Sequence, residues 1–349
     1  MFIGLIIVLL LVLVLPFTIH KVEENLEVFL FVMGISASLI SGILGKELMI
    51  KALKEPVMIS GAVLVAGLMF HYFNKKIRLS IKKILTAIPL QLFVFIVVVF
   101  LGLASSVITA IIASLLLVEI INVLEIERRH KINLTVIACF SIGLGAALTP
   151  IGEPLATIAI SKMGQDFWYL VRLLGIYIVP GILLIGVISI FAVKGTVAVK
   201  TQPALTTEIE AAAVSHTNGG ESYPDVFIRA GKVYLFVMAL VFLGEGFKPL
   251  IDAYVLGLSY KLLFWINMIS AVLDNATLTA AELSISMDAH QVKSILLGLL
   301  ISGGMLIPGN IPNIISANKL KIGSREWARL GVPMGLIMMA LYFAILTLV

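Results

Sequence analysis

The chain has 349 residues, 60% hydrophobic and 13% charged, where a soluble domain runs near ~45–50% apolar and ~25% charged. At about 20 apolar residues per bilayer-spanning helix, the length is taken up by roughly eight to ten passes, which leaves no room for a kinase, dehydrogenase or nucleic-acid module. The 25 basic residues against 20 acidic ones are spread over loops, so the excess reports orientation through the positive-inside rule and not a polyanionic partner.

Residues 1–83 hold the first apolar runs, 2–19, 28–45 and 56–73, read as N-terminal scaffold helices. The first is kept as a span because it lacks the basic start and small-residue cleavage site of a signal peptide. From Ile84 to Leu124 the chain carries one charge, Glu119, and Gly102 and Ser105–Ser106 punctuate its centre. This stretch, 84–124, reads as helix–turn–helix, either two full spans or a re-entrant hairpin, and basic clusters on both flanks place its ends on the cytoplasmic side. Parity then follows. Residues 134–161 cross outward as a broken helix and 167–193 return, completing a first repeat over 84–193. The polar stretch 194–225 is a cytoplasmic linker. In the second repeat, 226–349, the helix 226–247 crosses outward, 262–292 forms a hairpin, 294–318 is a second broken helix, and 330–349 ends outside, as does the N-terminus. On this assignment 17 of the 25 lysines and arginines face the cytoplasm. The single cysteine, Cys139, has no internal partner for a disulfide.

The two halves share a motif. Aligned at an offset of 158, residues 145–159 (GAALTPIGEPLATIA) and 303–317 (GGMLIPGNIPNIISA) pair Gly145 with Gly303, Leu148 with Leu306, Pro150 with Pro308, Pro154 with Pro312 and Ala159 with Ala317. The segments cross in opposite directions, so the repeat is inverted, as in many secondary transporters. Each carries Gly and Pro at mid-membrane depth, where non-helical backbone survives only if buried or lining a polar cavity. The expected fold is therefore an all-α polytopic membrane protein of two inverted repeats, each with a re-entrant helical hairpin and an unwound transmembrane helix.

Polar groups deep in an apolar chain are costly and mark function. Asp274, followed by Asn275 and Thr277, falls at the turn of the second hairpin, where oxygen ligands can converge on a hard cation such as sodium; a helix-capping role is the plain alternative. Glu153 lies in the first broken helix with Thr149, and can bind a cation, carry a proton, or simply stabilise a helix start. Ser105, Ser106 and Thr109 occupy the first hairpin turn, where hydroxyls bonding back into their own helix are the commoner reading and ligands the other, and Asn310 and Asn313 the second broken helix. Glu119 and Asn122 share a helix face three residues apart, although Glu119 can snorkel to the interface, and Glu282 lies two turns beyond Asp274. A sodium site is expected at Asp274, Asn275 and Glu153. The chain has no Walker motif and no HExxH, so ATP-driven transport by this chain and zinc peptidase chemistry are disfavoured, and no cofactor is expected.

At LTPIGE (148–153), DNATLTAAEL (274–283) and VEIIN (118–122) the sequence resembles the ion transporter superfamily, and within it the NhaD-type sodium/proton antiporters; it is also similar to prokaryotic predicted cation transporters of unknown function. The resemblance covers the chain from Ile84 onward. It implies substrate held between hairpin tips and unwound loops, and a homodimer moving substrate by an elevator-like displacement. The sodium–dicarboxylate branch carries Ser-Asn-Thr at its hairpin tips, where this chain reads Ser105–Ser106 and Asp274–Asn275–Ala276–Thr277. The antiporter branch has an Asp in place of Asn122 with a nearby His, and this chain has neither. The expected function is a sodium/proton antiporter of the cell membrane, not an enzyme, whose partners are an inorganic cation, protons and the lipid bilayer. The alternatives are a sodium-coupled dicarboxylate or oxyanion symporter and, remotely, an intramembrane peptidase.

Overall fold

The structure is a computed structural model that describes all residues except 20, 23–24, 55, 58–59, 62–63, 66–67, 69–87, 125, 194–222, 256, 272–274 and 349, together with the side chains of 13, 16–18, 26, 123, 225, 229, 240, 251, 277 and 281. Eleven of the eighteen residues of the expected span 56–73, and all but the last three of the linker 194–225, therefore lie outside the described residues. All regular structure among the described residues is helical: α1 (Phe2–Thr18), α2 (Leu26–Ile40), α3 (Leu90–Ile108), α4 (Ala110–Val123), α5 (Arg128–Ala146), α6 (Pro154–Met163), α7 (Tyr169–Ala192), α8 (Tyr223–Tyr254), α9 (Tyr260–Ile266), α10 (Asn275–Glu282), α11 (Ala289–Gly303), α12 (Ile311–Leu320) and α13 (Ser324–Leu348). Short 3-10 turns occupy Asn267–Ala271 and Ile307–Gly309. Leu90–Ile108, Tyr169–Ala192, Val226–Tyr254 and Ser324–Leu348 are long and apolar enough to cross a membrane. The protein is an all-helical membrane protein.

Three helices run past their apolar segments. α5 begins at Arg128, α8 continues to Tyr254 and α13 begins at Ser324, each about a turn or more beyond its expected boundary. Hydropathy marks the hydrocarbon core of the bilayer, while a helix continues through the charged interface, where its ends find caps and ion pairs. Arg128 donates to the Lys321 carbonyl at 2.9 Å and pairs with Glu326 at 3.2 Å.

The core is built on close backbone approach, as expected where lipid supplies no hydrophobic drive between helices. α3, α5 and α7 pack against one another. A Cβ on Gly102 would strike Ser141 of α5, and one on Gly145 would overlap the Gly102 carbonyl. Gly102 is thus a contact point and not a break: α3 runs unbroken through Gly102, Ser105 and Ser106 and turns at Thr109, the last of the three residues expected in the hairpin turn. α2 packs along α8, where Gly34 sits on the Ala239 carbonyl and Ser38 Oγ donates to the Phe242 carbonyl at 2.9 Å.

The helices at the breaks and the hairpin tips are too short to span about 30 Å of hydrocarbon. At 1.5 Å per residue, α4 with 14 residues reaches about 21 Å, α6 and α12 with 10 each about 15 Å, and α10 with 8 about 12 Å. α6 packs on α10, and α12 packs on α4.

Candidate functional site

The two helix breaks are built alike. α5 ends at Ala146 and is closed by Ala147 (φ −73, ψ −11), and α11 ends at Gly303 and is closed by Gly304 (φ −72, ψ −19). The chain resumes helix after extended caps, Glu153 (φ −153, ψ 161) and Asn310 (φ −154, ψ 146). Both ten-residue helices stop at a left-handed residue, Gly164 (φ 59) and Lys321 (φ 53). Corresponding residues are 157 apart (310 less 153, 321 less 164). The sequence alignment at 158 is thus one residue out of register over these caps. Proline is accepted at either of the first helical positions, so Pro154 and Pro312 align as letters while standing first in α6 and second in α12. Glu153 corresponds to Asn310.

At the first break, the hairpin tip and the unwound loop are stitched together. The Ala110 N–H, at the start of α4, donates to the Gly152 carbonyl at 2.8 Å, and Thr149 Oγ1 donates to the Ser106 carbonyl. Ser105 Oγ donates to the Gly102 and Ile142 carbonyls (2.6 and 2.9 Å), and Ser106 Oγ to Leu103 at 2.7 Å. Their protons are spent on backbone, the common behaviour of serine in a helix, which leaves only lone pairs for a ligand. Glu153 is 4% exposed at the α6 N-terminus, and Thr157 Oγ1 ties the start of α6 to the Pro150 carbonyl at 2.6 Å.

Thr109, at the junction of α3 and α4, holds φ 76, ψ 149, close to a region occupied essentially by glycine and costing about 1–3 kcal/mol. Its Oγ1 accepts from the Ile112 N–H at 3.4 Å. Thr109→Gly is expected to leave thermal stability in detergent unchanged or raised. Thr109→Val, which keeps the branched side chain but removes the cap, should lose about 1 kcal/mol. A Gly variant clearly less stable than wild type would show the conformation to be unstrained.

The second break is more open in its hydrogen bonding. Asn313 Nδ2 donates to the Gly303 and Leu306 carbonyls (2.9 and 2.8 Å), pinning the side chain under the loop. Ser270, in the 3-10 turn before α10, places its carbonyl against Gly309 and its hydroxyl beside Gly303. Among the described residues, the buried side-chain oxygens with no hydrogen-bond partner include Ser270 Oγ, Asn310 Oδ1 and Asn313 Oδ1. Asn275, at the first position of α10, is 3% exposed and its Nδ2 is likewise unpartnered. A buried polar atom costs about 1–3 kcal/mol when unpaired, so the three oxygens of Ser270, Asn310 and Asn313 around this loop point to a ligand. The halves meet here: Asn310 Nδ2 lies where a Cβ on Gly143 of α5 would project, and Gly304 sits on the Phe140 ring.

Other candidates fall elsewhere. Asp274 lies outside the described residues, as does the Thr277 side chain. Glu119 and Asn122 share an exposed face of α4, ten and thirteen residues past Thr109, or about 15 and 20 Å along the helix. They stand apart from the breaks, at the distance that suits an interfacial carboxylate. Glu282 is at the far end of α10, where its Oε2 accepts from Asn267 Nδ2 at 2.8 Å. Two residues missed by sequence reasoning contribute. Ser270 sits in an apolar run that reads as plain helix. Lys162 reads as an exposed terminal lysine, yet its ammonium donates to the Ala280 and Leu283 carbonyls, the latter at 3.0 Å.

That tie fixes direction. Since α6 and α10 pack together with their C-terminal ends joined by Lys162, they run the same way, and Glu153 and Asn275 start them from the same end. The Arg128–Lys321 contact likewise joins the C-terminal side of α12 to the segment following α4, so Asn310 and Thr109 lie at the opposite end of that pair. Because Ala110 is bonded to Gly152 and Asn310 lies against Gly143, the N-termini of α4, α6, α10 and α12 gather toward one region. Residues 2–349 match the family DUF1646, described as "Protein of unknown function (DUF1646)". No curated protein matches the chain.

Proposed function

Since the chain belongs to the DUF1646 family, whose description names no activity, we propose its function from the site: a secondary active transporter that exchanges sodium for protons by alternating access. The observation that carries this reading is the set of buried, unpartnered oxygens of Ser270, Asn310 and Asn313 around the second break. Hard cations take oxygen ligands of this kind. Glu153 and, by chain position, Asp274 add carboxylates at the starts of α6 and α10. Four converging helix N-termini carry about +0.5 charge each, roughly +2 in all. Two carboxylates offset that field, so a cation or protons can complete the site without a large net charge.

The matching caps, loop lengths and short helices at 147–164 and 304–321 support two inverted repeats, 84–193 and 226–349. The reach of α9 and α10, well short of a bilayer, supports a re-entrant second hairpin, while in the first α4 falls short and α3 is long enough to cross. In this reading the unwound loops and hairpin tips hold the substrate, and two copies of the chain form a dimer in a cell membrane with both termini outside. Asp274, Asn275, Thr277, Glu153, Thr149, Ser105, Ser106, Asn310 and Asn313 make up the site.

Converging N-termini also favour anions, which supports a second reading, a sodium-coupled dicarboxylate or oxyanion symporter with Asn310 and Asn313 as anion ligands. The two readings separate in proteoliposomes carrying a pH-sensitive dye. In antiport, protons and sodium compete for the same carboxylates, so lowering the pH loads them with protons and weakens apparent sodium affinity, by up to about tenfold per pH unit for one proton displaced per ion. No organic anion is needed. Strict dependence on an added dicarboxylate, with sodium affinity independent of pH, would reject antiport.

A further inference from the structure

Lys162 stands in the last turn of α6, two residues before the left-handed Gly164. Its ammonium donates to the carbonyls of Ala280 and Leu283, at the C-terminal end of α10, where helix geometry leaves carbonyls without intrahelical partners and the dipole favours a cation. The stem of Lys162 occupies space that only a glycine on α8 leaves open, since a Cβ on Gly244 would collide with its Cε. The carboxylates of Glu282 and Glu245 are near enough to act on the ammonium electrostatically, and Glu245 is itself bound to Lys51 at 2.6 Å. One side chain thus ties the first broken helix to the second hairpin and to the long helix α8.

The second broken helix carries the same residue in the same place. Lys319 stands in the last turn of α12, two residues before the left-handed Lys321, and α12 packs on α4 as α6 packs on α10. Yet Lys319 is exposed, and no basic residue stands in the last turn of α4. Two matched lysines, one engaged and one not, are what an inverted pair of elements shows when the molecule rests in one of two opposite-facing conformations.

We propose that Lys162 is the positioning residue that holds α6 on α10 in the conformation seen here, and that Lys319 caps the C-terminal end of α4 in the opposite-facing conformation, so that each transport cycle exchanges one cap for the other. This rests on the transporter reading, but its test reads conformation and not flux, so it succeeds or fails whichever ion is carried. Releasing the end of α10 uncovers Ser284, which lines the pocket beside Lys162, Ser161, Glu245 and Lys248 and is 6% exposed.

The experiment measures labelling of Ser284→Cys, in a Cys139→Ser background, by a charged thiol reagent in membrane fragments open on both faces. Lys162→Met is expected to speed labelling roughly tenfold or more, the shift that follows loss of a charge-assisted hydrogen bond from one of two states. Lys162→Arg should keep the original rate, and Lys319→Met added to Lys162→Met should bring the rate back toward it. If Lys162 only stabilises the fold, Lys162→Met lowers thermal stability while labelling in the double variant equals that in the single one, and the proposal fails. Should Lys162→Met not fold, the Lys319→Met single variant decides: slower labelling supports the exchange of caps, and an unchanged rate overturns it.

Discussion

Glu153→Gln and Asp274→Asn are each expected to abolish sodium-dependent proton flux in proteoliposomes while the protein still inserts and purifies. An amide keeps the shape of the side chain and removes its charge. At the start of α6 it then neither offsets the helix N-terminal field nor releases a proton against sodium. The loss should be roughly a hundredfold or more in apparent affinity, equivalent to about 3 kcal/mol. The protein should stay folded, because Glu153 makes no side-chain cap to its own helix and Pro154 and Thr157 hold that helix start without it. Sodium-dependent proton flux that persists with an unchanged pH profile in Glu153→Gln would reduce Glu153 to a residue at a helix start. The same result in Asp274→Asn would remove Asp274 from the site.

The second large effect is on folding. In Gly145→Val the new side chain would have to occupy the position of the Gly102 carbonyl, with Ser105 Oγ 3.0 Å from its Cβ. Backbone cannot yield as a flexible side chain can. Overpacking in a tight core costs about 1–3 kcal/mol where side chains can shift, and here α3 and α5 would have to separate along their contact. Gly145→Val is expected to fail to give a monodisperse protein in detergent, and Gly145→Ala to lower the thermal midpoint strongly. By contrast Gly231→Ala, where a Cβ meets nothing within 4 Å, should be neutral or stabilising. A normally folded Gly145→Val would mean that α3 and α5 are not in backbone contact.

Composition and periodic apolar runs were enough to read an all-helical membrane protein and to single out both helix breaks, because Gly and Pro in a bilayer core have few structural uses. Register was not legible. Helix starts tolerate proline at two successive positions, so five matched letters at an offset of 158 hid a cap-to-cap correspondence at 157. The hairpin turn, expected over Ser105, Ser106 and Thr109, falls at Thr109 alone, and Gly102 was legible only as punctuation: glycine signals either a turn or a close approach, and only the partner, Ser141 some 39 residues later, shows which. Hydroxyls bonding back into their own helix are the commoner reading of Ser105 and Ser106; what the sequence does not show is the second bond of Ser105, to the Ile142 carbonyl of α5. Lys162 was not singled out because a lysine near a helix end is ordinarily solvated, and nothing local in the chain reveals that the end of α10 lies beneath it.

The notch at Gly143 has a consequence for biosynthesis. Cys139 of α5 contacts Pro312 across 173 residues, and the same face of α5 receives Asn310 and Gly304. At about 5–20 residues per second, on the order of ten seconds or more separates synthesis of α5 from that of α12. During that interval the first half lacks the cover that Asn310 and Gly304 give this face of α5. A chain stopped between the two halves would leave the Gly143 notch without the side chain that fills it, so α5 reaches its final packing only after α12 has been made.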